Sequence, residues 1–160
     1  MSSVCLDTMI LVWGIQQNAK PTQQAENLKA ISLLDKLDKQ KTKIVIPTIV
    51  LGEFLLGIPP EYHLTTANNF DKRFQLTPFD AQCAQQFAAL WQANNDRLAE
   101  LCATGTTRKM IQADCMILAT AIVRGVDCIY SHDPHLEKLS QGYIEIRKMP
   151  EAAAQLALGL

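Results

Sequence analysis

Residues 110–133, MIQADCMILATAIVRGVDCIYSHD, constrain this chain more than any other stretch. Met110, Ile111, Cys115, Met116, Ile117, Leu118, Ile122 and Val123 cover nearly every direction around a 3.6-residue turn. A helix that is apolar on all sides belongs inside a protein. It carries one charge, Asp114. A lone carboxylate out of water costs several kcal/mol, so it needs a cation, a donor or a proton. Gly125 then stops the helix, and residues 126–130 read as a short buried strand. The strand runs into Ser131, His132, Asp133 and Pro134, placing a second carboxylate just past its C-terminal end. In open α/β sheets that is where ligands bind.

The earlier part of the chain repeats this arrangement. Residues 4–6 form a short apolar strand followed at once by Asp7, Thr8 and a buried helix. Pro21 opens a longer helix to about Lys39, with Leu28, Ile31, Leu34 and Leu37 as its apolar stripe. Residues 43–46 are a second strand, closed by Pro47. Thr48 is a candidate cap for the helix IVLGEFLLG, again apolar nearly all round and again carrying one acid, Glu53. Residues 61–73 suit a surface helix, and residues 74–79 a third strand. Asp80 is placed to cap one long helix through Cys102. Residues 103–108 are a loop, and Pro134 starts a short helix to Leu139. Residues 143–146 form the last strand, and residues 149–160 an Ala-rich helix. Strands alternating with helices, without repeat or linker, predict one α/β domain over residues 1–160. Its architecture is three layers, α/β/α, around a mainly parallel sheet of about four or five strands.

Composition sets limits on this reading. The 160 residues carry a formal net charge of −1 and are 48% hydrophobic, which suits one folded domain and argues against disorder. No apolar run approaches the roughly 18–20 residues of a membrane span. The N-terminus has no basic, extended apolar leader, so the expected location is the cytoplasm. The five cysteines are scattered, without zinc spacing, and read as buried reduced thiols.

Asp7, Glu53, Asp114 and Asp133 are the candidate chemistry. Asp7 or Asp133 taken singly is equally well read as a cap. Glu53 and Asp114 have no Lys or Arg three or four residues away on their own helices, so no local ion pair is available. The four are better explained together, as one acidic cluster. Packed carboxylates repel and take up protons unless cations neutralise them. Oxygen-only ligands suit Mg²⁺ or Mn²⁺, and such ions bind phosphate and activate water for phosphodiester hydrolysis.

At these residues the sequence resembles the PIN-domain ribonucleases, the family that includes VapC-type toxins. The matching pieces are VCL-Asp7-Thr8-MIL, LG-Glu53-FLLG, A-Asp114-CMILATA and IY-Ser131-H-Asp133. The resemblance implies a parallel sheet between helices, with Asp7, Glu53, Asp114 and Asp133 as catalytic metal ligands. Thr8 and Ser131 match positions where members place a hydroxyl beside the site. It further implies RNA as substrate, a homodimer and, for a toxin, a co-expressed cognate antitoxin. Two departures stand in the motifs. Pro47 and Val50 replace polar residues that often precede the second acid. His135 stands where a further acid often follows Asp133.

Arg108, Lys109 and Arg124 are candidate RNA phosphate contacts, equally well read as solvated helix ends. Trp13 and Trp91 lie on apolar stripes and read as core. His132 and His135 read as solvated loop residues. Two other functions remain open on sequence grounds. One is a non-catalytic RNA- or protein-binding module of the same fold. The other is a phosphatase using Asp7 as nucleophile, although Met9 stands where dehalogenase-type enzymes carry a second Asp.

Overall fold

Successive side chains of a strand point to opposite faces of its sheet, and the inner strands here are apolar on both. In the computed structural model, which describes residues 2–18 and 20–152, five strands form one sheet. They are β1 (Ser3–Leu6), β2 (Lys43–Pro47), β3 (Gln75–Thr77), β4 (Cys128–Tyr130) and β5 (Glu145–Arg147). Their order is β3-β2-β1-β4-β5, and every pairing is parallel. Cys5 is in register with Val45 on one side and Ile129 on the other.

Val4, Leu6, Ile44, Ile46, Cys128 and Tyr130 face one core. Helices α1 (Thr8–Leu11), α2 (Gln24–Lys39), α3 (Thr48–Leu55) and α4 (His63–Arg73) cover it, through residues such as Ile10, Leu33, Phe54 and Phe70. Cys5, Val45 and Ile129 face the second core. There they meet α5 (Ala81–Ala93), α6 (Asn95–Ala103), α7 (Arg108–Val123) and α8 (Pro134–Ser140). The result is three layers, as the alternation of elements predicts. Helix α7 is apolar all round because it serves both cores. Ile117 joins the first, and Ile111, Cys115 and Leu118 join the second.

Chain order makes a crevice. The connection from β1 runs to β2 on one side, and that from β4 runs to β5 on the other. Backbone therefore diverges above the C-terminal ends of β1 and β4, the place where such sheets bind ligands. Past α1, residues Val12–Gln16 form a π-helical turn that buries Trp13. Gly14 lets this turn lie on α2, since a Cβ there would stand 2.6 Å from Leu34 Cδ1. Gly125 follows α7 with φ of +65°, a left-handed conformation that glycine adopts without steric cost.

Several boundaries differ from the sequence reading. The helix expected from Asp80 through Cys102 is two helices, parted at Asn94. That side chain is fully buried, with Nδ2 donating to the carbonyls of Leu90 (2.9 Å) and Leu139 (3.2 Å). Asp80 does cap the first of them, accepting from the Cys83 N–H at 3.0 Å. Thr48 is not a cap: Pro47 holds that position without a side-chain bond, and Thr48 is already helical. The strands expected over 74–79, 126–130 and 143–146 shorten or shift to the ranges given above, because flanking backbone leaves the ladder. Cys102 is exposed while the other four cysteines are buried. Residues 149–152 are not helical, and residues 153–160 of the expected terminal helix lie outside the described residues.

Candidate active site

Asp7 leaves β1 and caps α1, its Oδ1 accepting from the Thr8 N–H at 2.7 Å. Its backbone N–H donates to the Tyr130 carbonyl at 3.0 Å, which fixes the end of β1 against the end of β4. Ser131, fully buried past β4, completes the link. Its Oγ donates to Asp7 Oδ2 at 2.8 Å and accepts from the Asp133 N–H at 3.0 Å. Asp133 in turn caps α8 by accepting from the His135 N–H at 2.8 Å. One serine hydroxyl thus ties Asp7, at the end of β1, to the turn that carries Asp133 after β4.

Glu53 comes from α3 and Asp114 from the first half of α7. Both reach the cavity that Asp7 and Asp133 line, of about 460 Å³. Met9, Met110, Ala113, His132 and Pro134 complete its wall with Thr8. Among the described residues lining it there is no Lys or Arg. The Thr8 hydroxyl is buried with no partner at hydrogen-bonding length.

The electrostatics follow from this crowding. Burial pushes the Asp114 carboxyl up to about 8, and the charges of Asp133, Asp7 and Glu53 add to the rise. Burial also raises Asp7, against the pull of the Ser131 hydroxyl and the Thr8 N–H. Glu53 is raised by desolvation and then by the charge of Asp7, with the Thr8 hydroxyl offsetting part of it. Three carboxyl groups held above their ordinary range, for the same two causes, form one electrostatic unit.

Such a donor set is all oxygen, the chemistry that suits a hard divalent cation. Among the described residues no three acidic, His or Cys side chains stand close enough to enclose one ion. The four acids thus share a cavity without forming a closed ligand shell; Mg²⁺ can be held through one or two carboxylates while keeping much of its water.

The other expected residues divide. Arg108 and Lys109 begin α7, next to Met110 at the cavity. The Arg108 guanidinium lies over the Trp91 ring, 5.2 Å from its centroid. Arg124 is not brought to the site. It ends α7, ten residues beyond Asp114 and so about 15 Å further along the helix, where it pairs with Asp80 at 2.8 Å. His132 is more than a solvated loop residue, for it lines the cavity with its ring edge-on to Trp13 at 5.1 Å. His135 Nδ1 lies 3.4 Å from both Asp133 Oδ1 and Thr106 Oγ1. Met9 and Met110 look like core methionines in the sequence, yet both are exposed, and no periodicity reports it.

A parallel sheet with carboxylates gathered over the ends of its two central strands defines an α/β protein with an acidic site at the topological switch point. The chain belongs to the PIN domain family, whose model matches residues 4–141. Its fold is similar to that of VapBC2 from Rickettsia felis, solved bound to a DNA fragment from their promoter. The TM-score is 0.61 at 18% identity, over 92% of this chain and 99% of that one. It is similar also to DNA-bound VapBC from Salmonella typhimurium, with a TM-score of 0.59 at 20% identity, over 94% of this chain and all of that one. Comparison with curated protein sequences gives no match.

Proposed function

We propose that this protein is a divalent-metal-dependent endoribonuclease, the VapC-type toxin of a toxin–antitoxin pair. The observation that carries the reading is the convergence of Asp7, Glu53, Asp114 and Asp133 from four separate segments on one cavity with no Lys or Arg among its described lining residues. A fold does not need four acids there, since their repulsion destabilises it. The PIN family membership and the VapBC-like fold support the same reading.

Asp7, Glu53, Asp114 and Asp133 would hold Mg²⁺ or Mn²⁺ with one or two of them bound directly and the others reached through the ion's own water. The chemistry such an ion would supply there is polarisation of a phosphodiester and activation of water. The chain's own residues prepare that role. Ser131 orients Asp7 and fixes the turn that presents Asp133. Asp7 caps α1 and is thereby held in one rotamer. Asp114, whose carboxyl is raised to about 8, is a group that would lose its proton as a cation enters. The phosphatase alternative is disfavoured because Met9 stands where dehalogenase-type enzymes carry their second Asp.

The direct test is incubation of the purified protein with an RNA panel in Mn²⁺, Mg²⁺ or EDTA. Cleavage that needs metal and disappears in Asp114→Asn supports the reading. Metal-independent cleavage, or none on any RNA, overturns it. A cognate antitoxin would co-purify from its own operon and suppress the cleavage. Self-association into the expected homodimer is read by sedimentation.

A further inference from the structure

Six large apolar side chains are exposed among the described residues: Met9, Leu56, Tyr62, Leu64, Met110 and Tyr143. Two of them, Met9 at 40% and Met110 at 57%, line the acidic cavity. Their positions follow from the elements that place the acids. Met9 lies two residues past Asp7 in the only turn of α1. Met110 lies four residues before Asp114, on the same face of α7 and one turn nearer its start. Each is therefore held beside a carboxylate by the same backbone, yet neither is needed to fill a core.

We infer that Met9 and Met110 form the base-contacting wall of the site, packing against a nucleobase attached to the phosphate that the carboxylates receive. This rests on the ribonuclease reading above. A nucleobase is joined to its phosphate through one ribose, so a phosphate at the carboxylates puts a base against the adjoining wall. That wall is thioether rather than charge. A thioether is polarizable and makes favourable contacts with aromatic rings, and methionine's three rotatable bonds let it fit rings of different outline. Contact with a π-face does not depend on base identity. The wall thus asks for a base without choosing which. A protein partner is less well suited to the same pair. Surfaces that dock proteins expose contiguous apolar patches of several hundred Å², whereas these two side chains lie within a concave cavity of a size usual for small ligands.

The test compares base with no base. The bond cut by the wild type in Mn²⁺ is mapped on a randomised single-stranded RNA pool. Three oligonucleotides are then made around it: intact, abasic on the 5′ side of the scissile phosphate, and abasic on the 3′ side. The wild type is expected to cut one abasic oligonucleotide about tenfold more slowly than the intact one, the effect of two sulfur–aromatic contacts. Met9→Ala combined with Met110→Ala should cut the intact oligonucleotide about tenfold more slowly and show no further loss on that abasic one. Met9→Leu with Met110→Leu should recover most of the rate by restoring apolar contact. Equal melting temperatures for the variants confirm that the comparison reports the wall and not the fold. The inference fails if base removal slows the wild type and the double-alanine variant by the same factor. It fails equally if neither abasic oligonucleotide is cut more slowly by the wild type, which would assign the methionines to a protein partner. Absence of any cleavage by the wild type would remove the ribonuclease reading, and this inference with it.

Discussion

At the scale of single residues, Asp114 separates cost to the fold from value to the site. Its carboxyl rises from 3.8 to about 8 on folding. A group raised in the folded state contributes stability that is fully present below its unfolded pKa and is lost as pH climbs through the folded one. In EDTA, the wild type should therefore weaken relative to Asp114→Asn as pH rises from about 4 to about 8. Asparagine has nearly the same shape and no charge. The variant should match the wild type near pH 4 and exceed it by ~1 kcal/mol or more at pH 8, about 2–4 °C in Tm. Thermal melts across that range decide it; a variant that melts several degrees early at every pH would make Asp114 a structural residue. Mg²⁺ or Mn²⁺ should raise the wild-type Tm by mass action and the variant's much less. Ser131 is the opposite case. Its hydroxyl joins Asp7 to the Asp133 N–H inside the protein. Ser131→Ala leaves both groups short of a partner, so denaturant unfolding should show a loss of about 1–3 kcal/mol. The Asp7 carboxyl should rise further, and metal affinity should fall with it.

At the scale of elements, the sequence is most readable where burial is most one-sided. Helix α7 and strand β1 were legible because an unbroken apolar surface has no stable place but the core. Glu53 and Asp114 were legible for the same reason, as charges in apolar helices that offered them no local partner, whereas Asp7 and Asp133 stood out by their place just past strand ends. The break between α5 and α6 was not. Asn94 sits among Gln, Ala and Asn residues that suit a solvated helix face, and two of its partners, Leu139 and Gln141, lie 45 and 47 residues away in sequence. Besides the Leu90 and Leu139 carbonyls, Gln141 Nε2 donates to its Oδ1 at 2.7 Å. No periodicity reports a bond of that range. Its physical meaning is testable: Asn94→Leu would take the side-chain donor from the carbonyl of buried Leu139, while the exposed Gln141 amide keeps the Ala93 carbonyl at 3.3 Å. Unfolding in urea should show a loss of about 1–3 kcal/mol with m unchanged. A neutral result would mean the helices are parted by backbone alone. Strand ends were also out of reach, since a three-residue strand such as β3 is defined by its neighbour's register more than by its own residues.

At the scale of the whole molecule, the distribution of charge matters more than its sum. A net charge of −1 gives no general attraction for RNA, and an acidic cavity repels phosphate unless a cation lies in it. On the ribonuclease reading, approach must then be guided by the rim. Arg108 and Lys109 stand at the start of α7, beside the cavity. Arg124 stands at its far end, paired with Asp80. The helix thus carries its own control. RNA affinity of the Asp114→Asn protein in Mg²⁺, measured by fluorescence anisotropy from low to high salt, should fall as salt rises. Each phosphate contact on a single strand adds about 0.7 to the slope of log affinity against log salt. Arg108→Ala and Lys109→Ala should each flatten that slope by up to about 0.7, whereas Arg124→Ala should leave it unchanged while freeing Asp80. If all three flatten it alike, binding is diffuse attraction to the molecule as a whole. If none does, phosphate is met by cations elsewhere, and the start of α7 is only a solvated helix end.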